Sequence, residues 1–150
     1  METFEEAKVK MQKAGACEDE FKIVSKLILW QEFFEHERAP YWCCWYAHNV
    51  IEGRWEPGEE AISKSARFSY LYALYVLKSR WKPGEAAIAK DALYLLLYRE
   101  LLAKLAYLER WRLIDESNRQ LNRHSGIRTL LWPPRWKNWL LYLRDRRADA

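Results

Sequence analysis

Apolar residues along this chain recur mostly at three- and four-residue steps, which is the spacing of a helix that buries one face. The clearest buried stripe consists of Phe68, Leu71, Tyr72, Tyr75 and Val76. The same spacing predicts helices over residues 2–13, 18–38, 91–115 and 135–147. We therefore predict an all-α fold, in which a core of stacked helix pairs is flanked by helices at both ends.

Each flanking helix has a predicted core face. In the first helix this face consists of Phe4, Val9 and Met11, and in the second it consists of Phe21, Val24, Leu27, Ile28 and Phe34. The helix that Asp91 opens is apolar on two sides, so it is either buried between layers or offers one side to a partner or a second copy. Residues 117–126 are polar and predict a loop.

A 26-residue repeat lies in the middle of the chain. Residues 53–64 read GRWEPGEEAISK, and residues 79–90 read SRWKPGEAAIAK. Eight of these twelve positions are identical, among them the tryptophans Trp55 and Trp81. A fixed period of this length, with helical patterning inside it, predicts stacked helix pairs like those of a short α-solenoid. The repeat core spans about residues 40–102.

Each unit carries residues that begin two helices. Pro57 and Pro83 suit the first helical position, where a backbone N–H is not needed. Ser65 and Asp91 suit the N-cap of the longer helix that follows. The sequence therefore predicts a short helix and then a longer helix in each unit.

The repeat also assigns roles to single residues. Trp55 and Trp81 are predicted to wedge between successive helix pairs, which is a structural role. Arg99 stands where the first two units have the small residues Ala47 and Ala73. We therefore expect the stack to end or to change in the third unit.

The repeat resembles that of uncharacterised tandem-repeat proteins of bacteria and their phages. Units of that family look like Arg-Trp-x-x-x-Glu-x-x-Ile, followed by Tyr-x-Tyr-Ala-x-x-Val-(Ile/Leu). The matching positions here are Arg80, Trp81, Glu85 and Ile88, and, for the second half, Tyr70, Tyr72, Ala73, Val76 and Leu77. The resemblance implies a bacterial or phage source and a scaffold for binding, and it carries over no catalytic residues.

Composition restricts the class of protein. With 150 residues, of which 50% are apolar, the chain is expected to fold as a single domain over residues 1–150. The longest uncharged apolar run, residues 92–98, is far shorter than the ~20 residues of a membrane span. Residues 1–20 hold no signal-peptide core, and three cysteines fit a reducing compartment. We expect no membrane association and a cytoplasmic location, in a bacterial cell or in the host of a phage.

Charge is distributed unevenly along the chain. Residues 1–60 hold seven Lys and Arg against thirteen Asp and Glu, whereas residues 101–150 hold eleven against five. Ten of the fourteen arginines lie from Arg99 onward, and arginine pairs bidentately with carboxylate or phosphate. The part over about residues 103–150 is therefore predicted to recognise an anion or a protein surface, and the alternative is a solvated helix face.

We hypothesise that the chain is a non-enzymatic protein-binding module, because Trp, Tyr and Arg are enriched at protein–protein hot spots. A small phage or mobile-element inhibitor of a host protein, such as an anti-CRISPR protein, is one form of it. The predicted partner-binding residues are Arg110, Trp111, Arg112, Arg119, Arg123, Arg128, Trp132, Arg135, Trp136 and Lys137. The alternative is nucleic-acid binding by the same C-terminal third, whose cations alternate with indoles. The opposite charges of the two ends also allow a homodimer.

Motifs for catalysis or cofactor binding do not occur in the sequence. There is no His-Glu-x-x-His and no glycine-rich phosphate loop. Cys43 and Cys44, with His48 one turn later and with or without Cys17, could hold a soft metal. The interpretation that we favour is that the two adjacent cysteines fill ordinary helix positions. We therefore predict no enzymatic activity, no cofactor and no metal.

Overall fold

The structure is a computed structural model that describes residues 2–125, and the described residues are helical without any strand. The helices are α1 (Phe4–Lys13), α2 (Glu18–Val24), α3 (Trp30–Glu35), α4 (Ala39–Tyr46), α5 (Glu56–Ser63), α6 (Ala66–Leu71), α7 (Lys82–Ile88) and α8 (Ala92–Ser125). Two π-helical segments, Ala47–Ile51 and Tyr72–Leu77, continue α4 and α6. The predicted all-α fold is confirmed.

The chain divides into two compact units, Met1–Leu108 and Glu109–Ala150. The first unit holds the repeats and the hydrophobic core. Of the second unit, the structure describes the residues up to 125, which belong to α8.

Helix α1 forms where the sequence predicts it, but one residue of its core face is wrong. Thr3 caps the helix, because its hydroxyl accepts a hydrogen bond from the Glu6 N–H at 3.3 Å. Phe4 and Met11 are buried as predicted, whereas Val9 is 51% exposed. Ala7 is buried instead, since it lies one turn after Phe4 and one turn before Met11.

The single helix predicted over residues 18–38 is wrong, because the chain forms α2 and α3 with a break between them. Glu32 accepts hydrogen bonds from the backbone N–H groups of Ile28 and Leu29, at 2.7 and 3.3 Å. This carboxylate starts a new helix and turns Ile28, a predicted core residue, outward to 72% exposure. Phe33 fills the core in its place and stacks on Trp42 with ring centroids 5.3 Å apart.

The repeats form successive layers of the first unit. The first layer is α4, its π-helical continuation and α5, and the second is α6, its continuation and α7. The part of α8 over residues 92–108 is the third layer. The predicted starts of the short helices are correct to within one residue, since Pro57 and Pro83 are the second residues of α5 and α7 and not the first. The Asp91 carboxylate likewise accepts the Leu93 N–H at 3.0 Å.

Both π-helical segments end in the same way. Glu52 and Lys78 adopt left-handed backbone conformations, with φ of 53° and 51°. The next residue, Gly53 in the first layer, then donates its N–H to the Ala47 carbonyl at 3.1 Å. Ala47 and Ala73 are fully buried. Each segment therefore turns the chain back towards a short helix. The alanine whose carbonyl closes this turn is buried, so there is little room for a larger side chain.

The third repeat changes as the sequence predicts. Arg99, at the position of the two alanines, is exposed, and α8 continues through this position as an α-helix. The loop predicted over residues 117–126 is wrong, because α8 extends to Ser125. Polar residues here stay helical because neither Gly nor Pro interrupts α8, and Arg119 pairs with Asp115 one turn earlier.

Candidate functional site

A hydrogen-bonded cluster joins the second layer to the third. The Tyr98 hydroxyl accepts the Trp81 backbone N–H at 2.8 Å and lies 3.3 Å from Glu85 Oε1, to which it donates. Arg80 donates to both oxygens of Glu85, at 2.6 and 3.0 Å. The hydrogen bonds from Arg80 lower the pKa of Glu85, and burial raises the pKa of Tyr98. We call this cluster the second joint.

The same cluster, the first joint, connects the first layer to the second. The Tyr72 hydroxyl accepts the Trp55 N–H at 2.9 Å and donates to Glu59 at 3.1 Å. Arg54 binds both oxygens of Glu59, at 2.8 and 3.1 Å. Every partner in the first joint lies 26 residues before its counterpart in the second. Sequence reasoning missed these bonds, although the regular recurrence of tyrosine and glutamate was the signal for them.

A third tyrosine in this series, Tyr46, finds a different partner. Its hydroxyl donates to Glu2 Oε1, and Lys10 also binds the carboxylate of Glu2. The Glu2 carbonyl accepts the indole N–H of Trp30 at 3.2 Å. Burial alone would raise the pKa of Glu2, but the bonds from Lys10 and Tyr46 outweigh it and lower the pKa. The N-terminal segment therefore supplies the carboxylate that the repeat lacks on this side.

The repeat tryptophans pack where the sequence places them. The ring centroids of Trp55 and Tyr46 lie 4.8 Å apart, and those of Trp81 and Tyr72 lie 4.9 Å apart. Each indole also covers a glycine of its own unit. A Cβ atom on Gly84 would lie 2.6 Å from the indole of Trp81 and 2.7 Å from Ser69 Cβ. Both tryptophans are thus structural, as predicted, and the glycines allow the close approach of the indoles.

An apolar groove lies between the first and second layers. It has a volume of about 160 Å³ and is lined by Tyr41, Cys44, Trp45, His48, Asn49, Phe68, Leu71, Tyr75 and Val76. The helix of the first layer supplies one wall, and the helix of the second supplies the other. The groove therefore shows which side of the first-layer helix faces the second layer.

The predicted partner-binding residues fall into two groups. Arg110, Arg112 and Arg119 are exposed on α8, and Trp111 is half-buried there. Arg119 Nε donates to Asp115 Oδ2 at 3.1 Å. The other predicted residues lie outside the described part of the structure: the side chain of Arg123 and the whole of Arg128, Trp132, Arg135, Trp136 and Lys137.

The two adjacent cysteines lie in the hydrophobic core. Cys43 and Cys44 are buried, and burial raises the pKa of the Cys44 thiol to about 12. Within residues 2–125, no three side chains of the His, Cys, Asp and Glu types are grouped so that they could hold a metal. The two adjacent thiols pack in the core as small residues, which is the interpretation that the sequence favours.

The membrane-spanning potential of the helices and the comparisons with known proteins bear on the class of protein. None of the helices in the described range is long and apolar enough to cross a membrane. The chain matches no protein-family model, no curated protein and no solved structure. Its function must therefore be inferred from its own residues.

Proposed function

We propose that the chain is a non-enzymatic protein-binding module, whose partner contacts the arginine- and tryptophan-rich part of the chain. The observation that carries the proposal is the described start of this part. There, Arg110 and Arg112 are exposed on either side of the half-buried Trp111. Tryptophan and arginine are among the residue types most enriched at protein–protein hot spots.

Charge pairing in the same segment favours a protein over a nucleic acid. Arg119 is already bonded to Asp115, and Glu109 and Glu116 stand among the arginines. Binding to a phosphate backbone depends on cations that neutralise phosphates and release counterions. Carboxylates beside those cations weaken such binding, because they pair with the cations and repel the phosphates. A surface of mixed sign instead complements a protein surface that carries both charges.

The resemblance of the repeat suggests the setting of this binding. We propose a bacterial cell as the compartment and a host protein as the partner, with the chain acting as a small phage-encoded inhibitor. This step rests on analogy with the repeat family and not on the geometry of a site.

A capture experiment tests the proposal. The tagged full chain is incubated with bacterial lysate, with and without nuclease, and bound proteins are identified by mass spectrometry. One stoichiometric protein should survive nuclease and be lost with Arg110→Glu/Arg112→Glu. It should be retained with the control Lys13→Glu/Lys26→Glu, which changes two exposed lysines by the same charge.

Two results would overturn the proposal. Capture that disappears with nuclease would assign the arginines to nucleic acid, and that binding would then weaken steeply with salt. Capture that is unaffected by the arginine changes, or equally reduced by the control, would remove this surface from the interface.

A further inference from the structure

In the first two layers, residues on one side of the long helix contact the layer that follows. Tyr41 of the first layer packs on Phe68 of the second, with ring centroids 5.7 Å apart. Tyr70 of the second layer packs on Tyr94 of the third, at 6.1 Å. Cys44, the first-layer counterpart of Tyr70, lines the groove beside Phe68. We call these the forward positions of a layer.

The third layer carries leucines at its forward positions. The 26-residue period places Leu93 after Tyr41 and Arg67, and it places Leu96 after Cys44 and Tyr70. Leu93 is 59% exposed and Leu96 is 66% exposed. The position of Leu96 faces a following helix in both earlier layers, and the position of Leu93 does so in the first layer, whereas Arg67 in the second layer is exposed. In the third layer both positions are apolar and exposed to solvent.

We propose that Leu93 and Leu96 form a homodimer interface, in which α8 of a second copy takes the place of a following layer. The apolar surface continues the layer-to-layer interface, and that interface is built to accept a helix. Burying the leucines of both copies removes apolar surface from water, which is the main driving force of association.

Charges at the two ends of the leucine pair point to a second copy of this chain as the occupant. Lys90 lies in the turn before α8, and Glu100 lies one turn after Leu96 on the helix, so opposite charges flank the leucine pair along the chain. A two-fold axis through the leucines makes the two helices antiparallel and places Lys90 near the other copy's Glu100, twice. The surface is thus complementary to itself, as an isologous interface requires.

Glu100 can accept this additional bond. One of its oxygens accepts from Lys104 Nζ at 2.6 Å, and its side chain is 58% exposed. Charges at the rim of an interface mainly fix register, whereas the leucines supply the burial. The dimer requires no other protein, so it stands independently of the proposed function.

Sedimentation velocity of the full chain over a range of concentrations tests the inference. The wild-type chain should shift toward twice the mass of one chain as concentration rises. Leu96→Glu should raise the dissociation constant at least about tenfold, because it places a charge in the apolar contact. The control Ile28→Glu changes a similarly exposed residue just before α3 and should leave the dimer intact.

Charge exchange tests the antiparallel register. Glu100→Lys should weaken the dimer, and the double change Lys90→Glu/Glu100→Lys should restore it. A wild-type chain that stays monomeric would overturn the inference, whether another protein or another segment covers the leucines. A dimer that tolerates Leu96→Glu, or that Ile28→Glu disrupts equally, would overturn it as well. Failure of the double change to restore association would refute the register.

Discussion

The second and third layers begin alike and end differently. Ser65 and Asp91 cap their long helices, and Tyr72 and Tyr98 close the two joints with the same bonds. After the tyrosine, however, the second layer forms a π-helical segment and turns back into α7. The third layer continues as an unbroken α-helix.

One small residue separates the two outcomes. Ala73 is fully buried where the second layer turns back, and Arg99 is exposed at the same position of the third. The third unit also lacks the residues of the returning helix, since Ala106 and Glu109 stand at the positions of Arg80 and Pro83. The joint therefore needs the short helix of one layer and the tyrosine of the next, whereas the turn back needs the buried alanine and the residues of the returning helix.

The largest expected effect comes from giving the second layer the arginine of the third. Ala73→Arg would place an unpaired charge at a position with no exposed surface, so we expect it to cost more than about 4 kcal/mol and to unfold the chain. The reverse change, Arg99→Ala, should alter the free energy of unfolding by less than about 0.5 kcal/mol. Urea unfolding followed by circular dichroism measures both. Equal effects of the two changes would contradict the comparison.

Glycine under the repeat tryptophan gives the next effect. In Gly84→Ala the new methyl group meets the Trp81 ring and Ser69 Cβ at under 3 Å, so we expect a loss of about 1–3 kcal/mol. Gly53→Ala is the matched control, because its nearest neighbour atom would lie 4.0 Å away. Thermal unfolding measures the difference. A Gly84→Ala protein as stable as Gly53→Ala would show that the indole does not fix this contact.

Removal of a joint hydroxyl gives a similar or smaller effect. Tyr98→Phe leaves the Trp81 N–H without its acceptor in a buried position, which should cost about 1–3 kcal/mol. Tyr72→Phe should cost a similar amount, because it removes the equivalent bonds of the first joint. Chemical unfolding of both variants checks this equivalence. A large loss at one joint and none at the other would show that only one of them stabilises the fold.

The smallest effect is the contribution of the second joint to acid stability. Folding lowers the pKa of Glu85. The ionised carboxylate therefore stabilises the fold fully when the pH is above the pKa that Glu85 has in the unfolded chain. That stabilisation is lost as pH falls through the lower, folded value. Unfolding between about pH 5 and pH 3 should therefore depend less on pH in Glu85→Gln than in the wild-type chain. Glu60→Gln, in an exposed pair with Lys64, is the control and should behave like the wild type.

Much of the fold could be predicted from the sequence because the two copies of the repeat are similar enough to align at a fixed offset. The 26-residue period located the prolines, the N-caps and the repeat tryptophans, and Arg99 marked the change in the third repeat. The N-terminal part was harder, since helical spacing continues through Ile28 while the Glu32 carboxylate starts a new helix there. Such a bond between a side chain and the backbone competes with helix formation and leaves no trace in the apolar period.

The candidate surfaces were less predictable. The composition drew attention to Arg110, Trp111 and Arg112, but it could not show that Asp115 already binds Arg119. The sequence left open whether the apolar sides of α8 are buried or offered to a partner, because an apolar stripe on a helix looks alike whether or not another layer covers it. Only the packing of the earlier layers reveals which stripe lacks a neighbour.

Amide hydrogen exchange at Trp55 and Trp81, followed by NMR, tests most directly whether the two joints are equivalent. Each of these N–H groups donates to the tyrosine 17 residues later. We predict that Tyr72→Phe accelerates exchange mainly at Trp55, and that Tyr98→Phe accelerates it mainly at Trp81. Unchanged exchange at both amides, or equal acceleration of both in either variant, would contradict the account of two independent and equivalent joints.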